Sequence, residues 1–400
     1  MKIAYISYEH PHGIGGGGIG TYTDQIAAVM ANRGHDVEVF SSNSTAQNLS
    51  IKTTNYLLHL ISYTEPSLFK KKVLQVFSER HLAMHFDLIE SPEYGADALL
   101  IKEKYPKLPL VIKLHTPSFL VSALNDQHSF FSKARFIIGG LIKGNIPKPY
   151  WKYDKTTDNQ YQQFLLADGV YSPSQSLKNI INKEWGDKEI NVTPNPFVPK
   201  DELLKISTKK AAFLQITFLG RLEKRKGIID LINAIPIVLN THQIHFQFVG
   251  QALDSPEKGK KMDQYIKDNL KKFAKQLTFQ DQVNYQNIPA VFENTDICVL
   301  PSLWENFPTV CLEAMAAGKV VIGTNNGGMS DMIIDGVTGI LIPPNSPYKL
   351  AEAIKLLANN RPLIEEMGEK ARKHLLSSFN SKVIGELTEN FYRKINPNVS

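Results

Sequence analysis

The chain has 400 residues, which is long for one ordinary domain and fits two of about 200. Apolar residues make up 42% and charged residues 21%, the balance of a soluble globular protein. No window approaches about 18 uninterrupted apolar residues, so a spanning helix is excluded. The net charge of +6 is too mild to imply nucleic acid by itself, and it suits an enzyme of anionic substrates.

Met1–Tyr8 reads as a buried strand and not as a signal peptide, because it is short and runs directly into a glycine-rich loop. That loop, Gly15–Gly18 plus Gly20, follows a strand and precedes a helix over Gly20–Arg33 with Tyr22, Ile26, Val29 and Met30 on one side. Such glycines, Gly17 and Gly18 among them, let the backbone approach a ligand closely. The pattern is not the dinucleotide fingerprint: it has too many glycines, and no acidic residue caps the next strand, Val37–Ser41. Further strands are expected at Leu88–Glu90, Leu110–His115, Gly169–Ser172 and Asn191–Pro194. Glu93 and Tyr94 follow one of them and could face an acceptor. His115 ends another; it is either a satisfied core histidine or a catalytic one.

Ser118–Tyr161 stands apart. Phe119, Phe130, Phe131, Phe136, Ile137, Ile138, Leu141, Ile142, Tyr150, Trp151 and Tyr153 are interleaved there with Lys133, Arg135, Lys143, Lys148, Lys152 and Lys155. A basic, aromatic-rich insert could lie on an anionic membrane surface, or it could be a partly buried excursion shaped for an acceptor.

After a polar connector, Val198–Lys210, the pattern restarts. Strands are expected at Gln215–Gly220, His245–Gly250, Ile297–Leu300 and Val320–Gly323, with helices over Ile228–Asn240 and a lysine-rich Asp263–Gln276. Strand–helix alternation in both halves predicts parallel sheets covered on both faces. Arg221 and Lys226 follow the strand ending at Gly220, and two fixed cations there could neutralise a diphosphate. Lys224 and Arg225 read as solvated neighbours. No Asp-x-Asp stands in a loop after a strand, and no Cys/His cluster has zinc spacing. Cys298 and Cys311 sit in apolar settings and read as small core residues.

The most informative stretch is Pro301–Gly318. Glu305 and Glu313 stand on either side of a Pro-broken loop, Asn306-Phe307-Pro308-Thr309, with Val310–Ala317 helical and Glu313 at the helix start. Backbone N–H groups at a helix N-terminus favour a phosphate, and flanking carboxylates can accept from sugar hydroxyls. A nucleotide-sugar is the chemistry this suggests. A last helix is expected over Ser381–Lys394.

These motifs, with Ser172–Ser176, Pro194-Asn-Pro and Gly327-Gly-Met-Ser-Asp331, resemble the family 4 glycosyltransferases in type and order, from Lys2 to about Phe379. The resemblance implies the GT-B architecture: two Rossmann-like doubly wound α/β domains facing across a cleft, with the C-terminal helix crossing back to the first domain. The expected acceptor domain is 1–197, joined by 380–396, and the expected donor domain is 198–379. The implied reaction moves a hexosyl unit from a UDP- or GDP-linked sugar to an acceptor hydroxyl with retention, without metal or other cofactor, in glycan or glycoconjugate biosynthesis. No carboxylate pair is evidently arranged for a double displacement, and the resemblance implies instead a same-face substitution in which the leaving diphosphate helps take the acceptor proton.

By the same resemblance His115, Arg221, Lys226 and Glu305 carry the catalysis. Gly17, Gly18, Gly220, Asn306, Phe307, Thr309, Val310 and Glu313 bind the donor, with Glu313 on the ribose and Glu305 on the transferred sugar. Tyr285 and Gln286, in Val283–Ile288, receive the base through backbone groups, and Glu93 and Tyr94 meet the acceptor. Expected partners are the donor and a glycan, lipid-linked or small-molecule acceptor, without nucleic acid. The expected location is cytoplasmic, with peripheral attachment at the inner membrane face as an option through 118–161. A nucleotide-sugar epimerase and a non-catalytic nucleotide-sugar-binding protein are the alternatives.

Overall fold

A computed structural model describes residues 1–15, 17–62, 65–124, 130–142, 153–207 and 213–397. Gly16, Lys143, Lys148, Tyr150, Trp151 and Lys152 lie outside the described residues, as do the side chains of Phe130, Phe131, Lys133 and Tyr285. The chain divides into two compact units: 1–171 with 181–191 and 392–400, and 172–180 with 192–391.

The first unit holds an eight-stranded sheet. Its strands are β1 (Lys2–Ile6), β2 (Asp36–Asn43), β3 (Leu49–Lys52), β4 (Leu57–Ser62), β5 (Leu88–Pro92), β6 (Leu110–Lys113), β7 (Gly169–Ser172) and β8 (Ile190–Val192). The order is β3-β4-β2-β1-β5-β6-β7-β8. Only β3 is antiparallel to its neighbour among the described pairings. In β1, Ile3 sits between Val37 and Leu88, and Ile3–Ile6 are all buried, as a strand covered on both faces requires.

The second unit holds β9 (Leu214–Leu219), β10 (Ile244–Val249), β11 (Leu277–Gln280), β12 (Ile297–Leu300), β13 (Val320–Thr324) and β14 (Gly339–Ile342). Their order is β11-β10-β9-β12-β13-β14, all parallel. Alternation along β12 divides its core in two. Ile297 and Val299 join the helices Ile228–Leu239 and Pro347–Ala358, while Cys298 and Leu300 join the helix Thr309–Ala316. Both cysteines are buried and free.

Two departures from expectation have local causes. The lysine-rich helix stops at Asn269, and a separate 3-10 stretch, Lys271–Gln276, follows with Phe273 off helical geometry. Within the polar connector, Asp201–Leu204 is helical because Leu203 is drawn fully into the core. The last helix, Ser381–Ile395, begins in the second unit and ends in the first.

Each sheet has one strand from which the order runs both ways. β1 lies between β2 and β5, and β9 between β10 and β12. At such a reversal neighbouring connections leave on opposite faces, and a crevice opens beyond the carboxyl ends of the strands.

Candidate active site

In the second unit, the loops after β9 and β12 meet at that reversal. The Gly220 N–H donates to the Val249 carbonyl at 2.9 Å, and the chain then turns through Lys224–Lys226. Gly227 closes this turn at φ +73, and a Cβ there would lie 1.8 Å from the Pro301 carbonyl oxygen. Only glycine lets the two backbones pack so closely. The Leu303 N–H donates to the Arg225 carbonyl at 2.9 Å, tying the two loops together.

That contact assembles the charged groups. Lys226 Nζ donates to Glu305 Oε1, and Arg225 Nη1 lies 3.6 Å from the same oxygen. Glu223 Oε1 receives Arg225 Nη2 at 3.0 Å and Arg221 Nη2 at 3.1 Å. Three cations therefore face two carboxylates. Burial pushes the Glu305 carboxyl up, but Lys226 and Arg225 outweigh it and hold the group below its ordinary value, ionised. The expectation that Arg225 is a solvated neighbour is corrected: its side chain is 18% exposed and braces both carboxylates. Arg221 is the open member, at 54%.

Glu305 is fixed from behind as well. The Gly328 N–H donates to its carbonyl at 2.8 Å, and Gly327, at φ +111, would bring a Cβ within 2.2 Å of that oxygen. Asn306 Oδ1 accepts from Ser174 Oγ at 2.8 Å. Trp304 is buried, with Nε1 donating to Ser176 Oγ at 3.2 Å. Phe307 packs its ring on Phe379 at 5.8 Å, and Val310 is half-buried against the core, so both shape the loop from within.

The helix Thr309–Ala316 starts at Thr309, after an extended Pro308, with no side-chain cap. The Cys311 N–H donates to the Pro308 carbonyl at 3.0 Å, and by helix geometry the N–H groups of Thr309 and Val310 have no intrahelical acceptor. Glu313 does not begin this helix, as its sequence setting suggested, but lies one turn inside it. Proline stops the chain earlier, so Thr309 is already helical. Burial pushes the Glu313 carboxyl up to about 7, with Lys200 pulling it back. Gln286 is exposed on the 3-10 turn Tyr285–Asn287 after β11.

In the first unit the loops after β1, β5 and β6 carry the corresponding residues. Gly17 stands at the N-cap of the helix Gly18–Asn32. A Cβ on Gly17 would come 2.7 Å from Glu9 Oε2, whereas Gly18 faces open space. Glu9 therefore lies against the glycine-rich loop, and burial raises its carboxyl while the Gly20 N–H opposes the rise. His10 is fully buried, with Nε2 2.9 Å from the Tyr56 hydroxyl.

β6 ends at Lys113, so His115 lies just beyond the strand. The His115 N–H donates to Glu93 Oε2 at 2.8 Å, and Glu93 is 0% exposed. Burial pushes Glu93 up to about 8, and among the described residues its Oε1 has no hydrogen-bond partner. Burial, then the nearby Lys113, lowers His115 to about 3, so its imidazole is neutral at physiological pH. Lys113 itself is brought down to about 7 by burial. Asp97 accepts from the Tyr8 N–H at 2.7 Å and is pushed by burial up to about 7. Tyr94 is exposed beside Glu93.

Sequence reasoning missed Arg225 as a brace, and Glu9, Glu90, Asp97 and Lys113 entirely. Lys113 carried a signal: a charged residue closing the apolar run Leu110-Val-Ile. Glu9 and Asp97 carried only their closeness to expected loops.

The structure aligns with sucrose-phosphate synthase from Thermosynechococcus elongatus at a TM-score of 0.73 and 18% identity, over 100% of both chains. It aligns with Anabaena HepE in complex with UDP-glucose at 0.65 and 18%, over 98% of this chain and 100% of the other. The fold is that of the GT-B glycosyltransferases. Residues 16–200 match the model "Glycosyltransferase Family 4", and 199–374 match "Glycosyl transferases group 1". The chain is also 30% identical to the glycogen synthase of Mycobacterium tuberculosis over 98% of its own length and 94% of the relative's. It belongs to the family 4 glycosyltransferases.

Proposed function

We propose that this glycosyltransferase moves a hexosyl unit from a UDP- or GDP-linked sugar to an acceptor hydroxyl, with retention and without a metal ion. The observation that carries the reading is the group Arg221, Arg225 and Lys226 with Glu223 and Glu305, built where β9 and β12 diverge and followed by an uncapped helix start at Thr309. Three cations against two carboxylates leave an excess positive charge for a diphosphate. The UDP-glucose bound to HepE supports a nucleotide-sugar donor.

In the proposed step the bond between the anomeric carbon and the diphosphate oxygen breaks, and a bond to the acceptor oxygen forms on the same face. The acceptor proton passes to the departing diphosphate. Arg221, Lys226 and the amides around Thr309 stabilise the leaving charge. Glu305 meets the transferred sugar, Glu313 the ribose, Gln286 and the Tyr285 backbone the base, and Gly17, Gly18 and Gly220 the phosphates. In the first unit His115 meets the donor sugar, while Glu93 and Tyr94 receive the acceptor. Lys226→Ala should raise the donor KM roughly ten- to hundredfold, the worth of one charge-assisted hydrogen bond of about 1.5–3 kcal/mol.

The helix Phe130–Ile142 supports a membrane-proximal acceptor. Phe136, Ile137, Ile138, Leu141 and Ile142 are exposed on it, Ile142 at 80%, and no Asp or Glu stands between Asp126 and Asp154. An apolar and purely basic stretch suits an anionic bilayer.

The test is a melting-point screen against UDP, GDP and their hexoses, followed by transfer assays with and without EDTA and assignment of the product anomer. Binding raises the melting point. An inverted product, or activity abolished by EDTA and restored by Mg²⁺ or Mn²⁺, would overturn the corresponding part of the reading.

A further inference from the structure

Beneath His115 lies a buried polar cage that the proposed reaction does not use. Glu90, on β5, is 2% exposed. Its Oε1 accepts from the Tyr22 hydroxyl at 2.9 Å, and its Oε2 accepts from the hydroxyls of Tyr171 and Tyr392. The Tyr22 and Tyr171 hydroxyls are 2.5 Å apart, and the Tyr5 hydroxyl lies 3.1 Å from that of Tyr392. Lys113 Nζ stands 4.4 Å over the Tyr171 ring and 5.1 Å over the Tyr22 ring. The Tyr22 ring in turn meets the His115 imidazole edge-on, with centroids 5.2 Å apart and planes at 69°.

A carboxyl, an amine and four hydroxyls cost more to bury than phenylalanine and leucine would in the same space. What the polar version adds is direction. A ring held only by packing can pivot, whereas a hydroxyl bound to a buried carboxylate sets the angle of the ring that carries it. The His115 backbone is held separately, by Glu93 Oε2. The main chain is therefore fixed from one side, and the imidazole plane from Tyr22.

We propose that Tyr22 and Glu90 are positioning residues for His115: the Glu90 carboxyl anchors the Tyr22 hydroxyl, the Tyr22 ring edge sets the imidazole, and Tyr392 closes the cage. The inference rests on the reading that His115 meets the donor sugar, and a measurement that needs no turnover separates the two.

The experiment uses the full chain with its histidine rings isotopically labelled. Tyr22→Phe keeps the ring and removes only the anchor. The expected result is a shifted or broadened His115 ring resonance. With UDP-glucose or GDP-mannose, kcat should fall about tenfold or more, since small misalignments are costly. Both KM values should stay within about twofold, because ground-state binding is untouched. Tyr392→Phe, whose hydroxyl reaches Tyr22 only through the Glu90 carboxyl, should move both readouts the same way and less. An unmoved His115 resonance in folded Tyr22→Phe overturns the proposal, whatever happens to kcat, and so does a moved resonance with kcat unchanged. Should Tyr22→Phe not fold, the same two outcomes are read from Tyr392→Phe. A wild-type chain that transfers no sugar from any donor defeats the transferase reading, and the resonance alone then decides whether the cage orients His115.

Discussion

Glu305 and Glu313 are eight residues apart in one segment, yet the fold gives them opposite electrostatics. Glu305 is held ionised by two cations, while Glu313 is buried with its carboxyl raised to about 7. Glu305→Ala should therefore remove most transfer while nucleoside diphosphate binding stays nearly intact, and Glu313→Ala should weaken binding of the bare nucleotide too. Calorimetry with UDP or GDP beside transfer rates would distinguish them; identical profiles would refute the assignment. Glu93 makes a pH prediction. Its carboxyl sits near 8 against an ordinary 4.5, so the folded state binds the proton more tightly than the unfolded one. The stability this provides is complete below pH 4.5 and is lost as pH rises towards 8. Glu93→Gln, which keeps an acceptor for the His115 N–H, should gain in melting temperature relative to wild type across that window. A constant difference between the two proteins from pH 5 to 8 would contradict the raised value.

At the scale of elements, the turn Lys224–Lys226 depends on Gly227. Its left-handed φ and the adjoining Pro301 carbonyl leave no room for a methyl group, so Gly227→Ala should destabilise by about 1–3 kcal/mol and spread the cation group. Chemical denaturation together with the donor KM would measure both effects. The helix Phe130–Ile142 makes a second prediction. Vesicles containing anionic lipid should sediment with the protein at low salt and release it at high salt, each nearby basic residue adding about 1 kcal/mol. Replacing Ile138, Leu141 and Ile142 with serine should weaken this at least roughly tenfold, and an absence of binding at low salt would leave a soluble acceptor. Elements with strong apolar runs, such as β1, β9 and β12, were legible in the sequence, as was the loop around Glu305. β3 was not: Leu49-Ser-Ile-Lys is exposed throughout, so no burial pattern marks it. Nor were Glu9, Asp97 and the Glu90 cage. Their roles depend on β1, β5 and β6 lying side by side, and that order belongs to the sheet and not to any local stretch of chain.

At the scale of the molecule, the first unit is built from distant pieces of chain. Besides Tyr392, Lys394 Nζ donates to Glu189 Oε1 at 2.7 Å, and Asn396 Nδ2 donates to the Asp87 carbonyl at 2.9 Å. Ending the chain at Phe379 should therefore weaken the first unit most. Hydrogen exchange should accelerate in β1 and β5 while β9 and β12 keep their protection, and equal loosening of both sheets would argue against this.

The same feature gives the chain a timetable. Glu90 leaves the ribosome 302 residues ahead of Tyr392, its last hydroxyl donor. At about 5–20 residues per second that interval is roughly 15–60 seconds, during which the whole second unit is made. Once β8 has been made, the nascent first sheet must keep in its interior a carboxyl that still lacks one of its three hydroxyl donors. Folding of the first unit on the ribosome then turns on a residue made only after the second unit, and synonymous changes that slow translation of the second unit would lengthen the exposure without altering a single side chain.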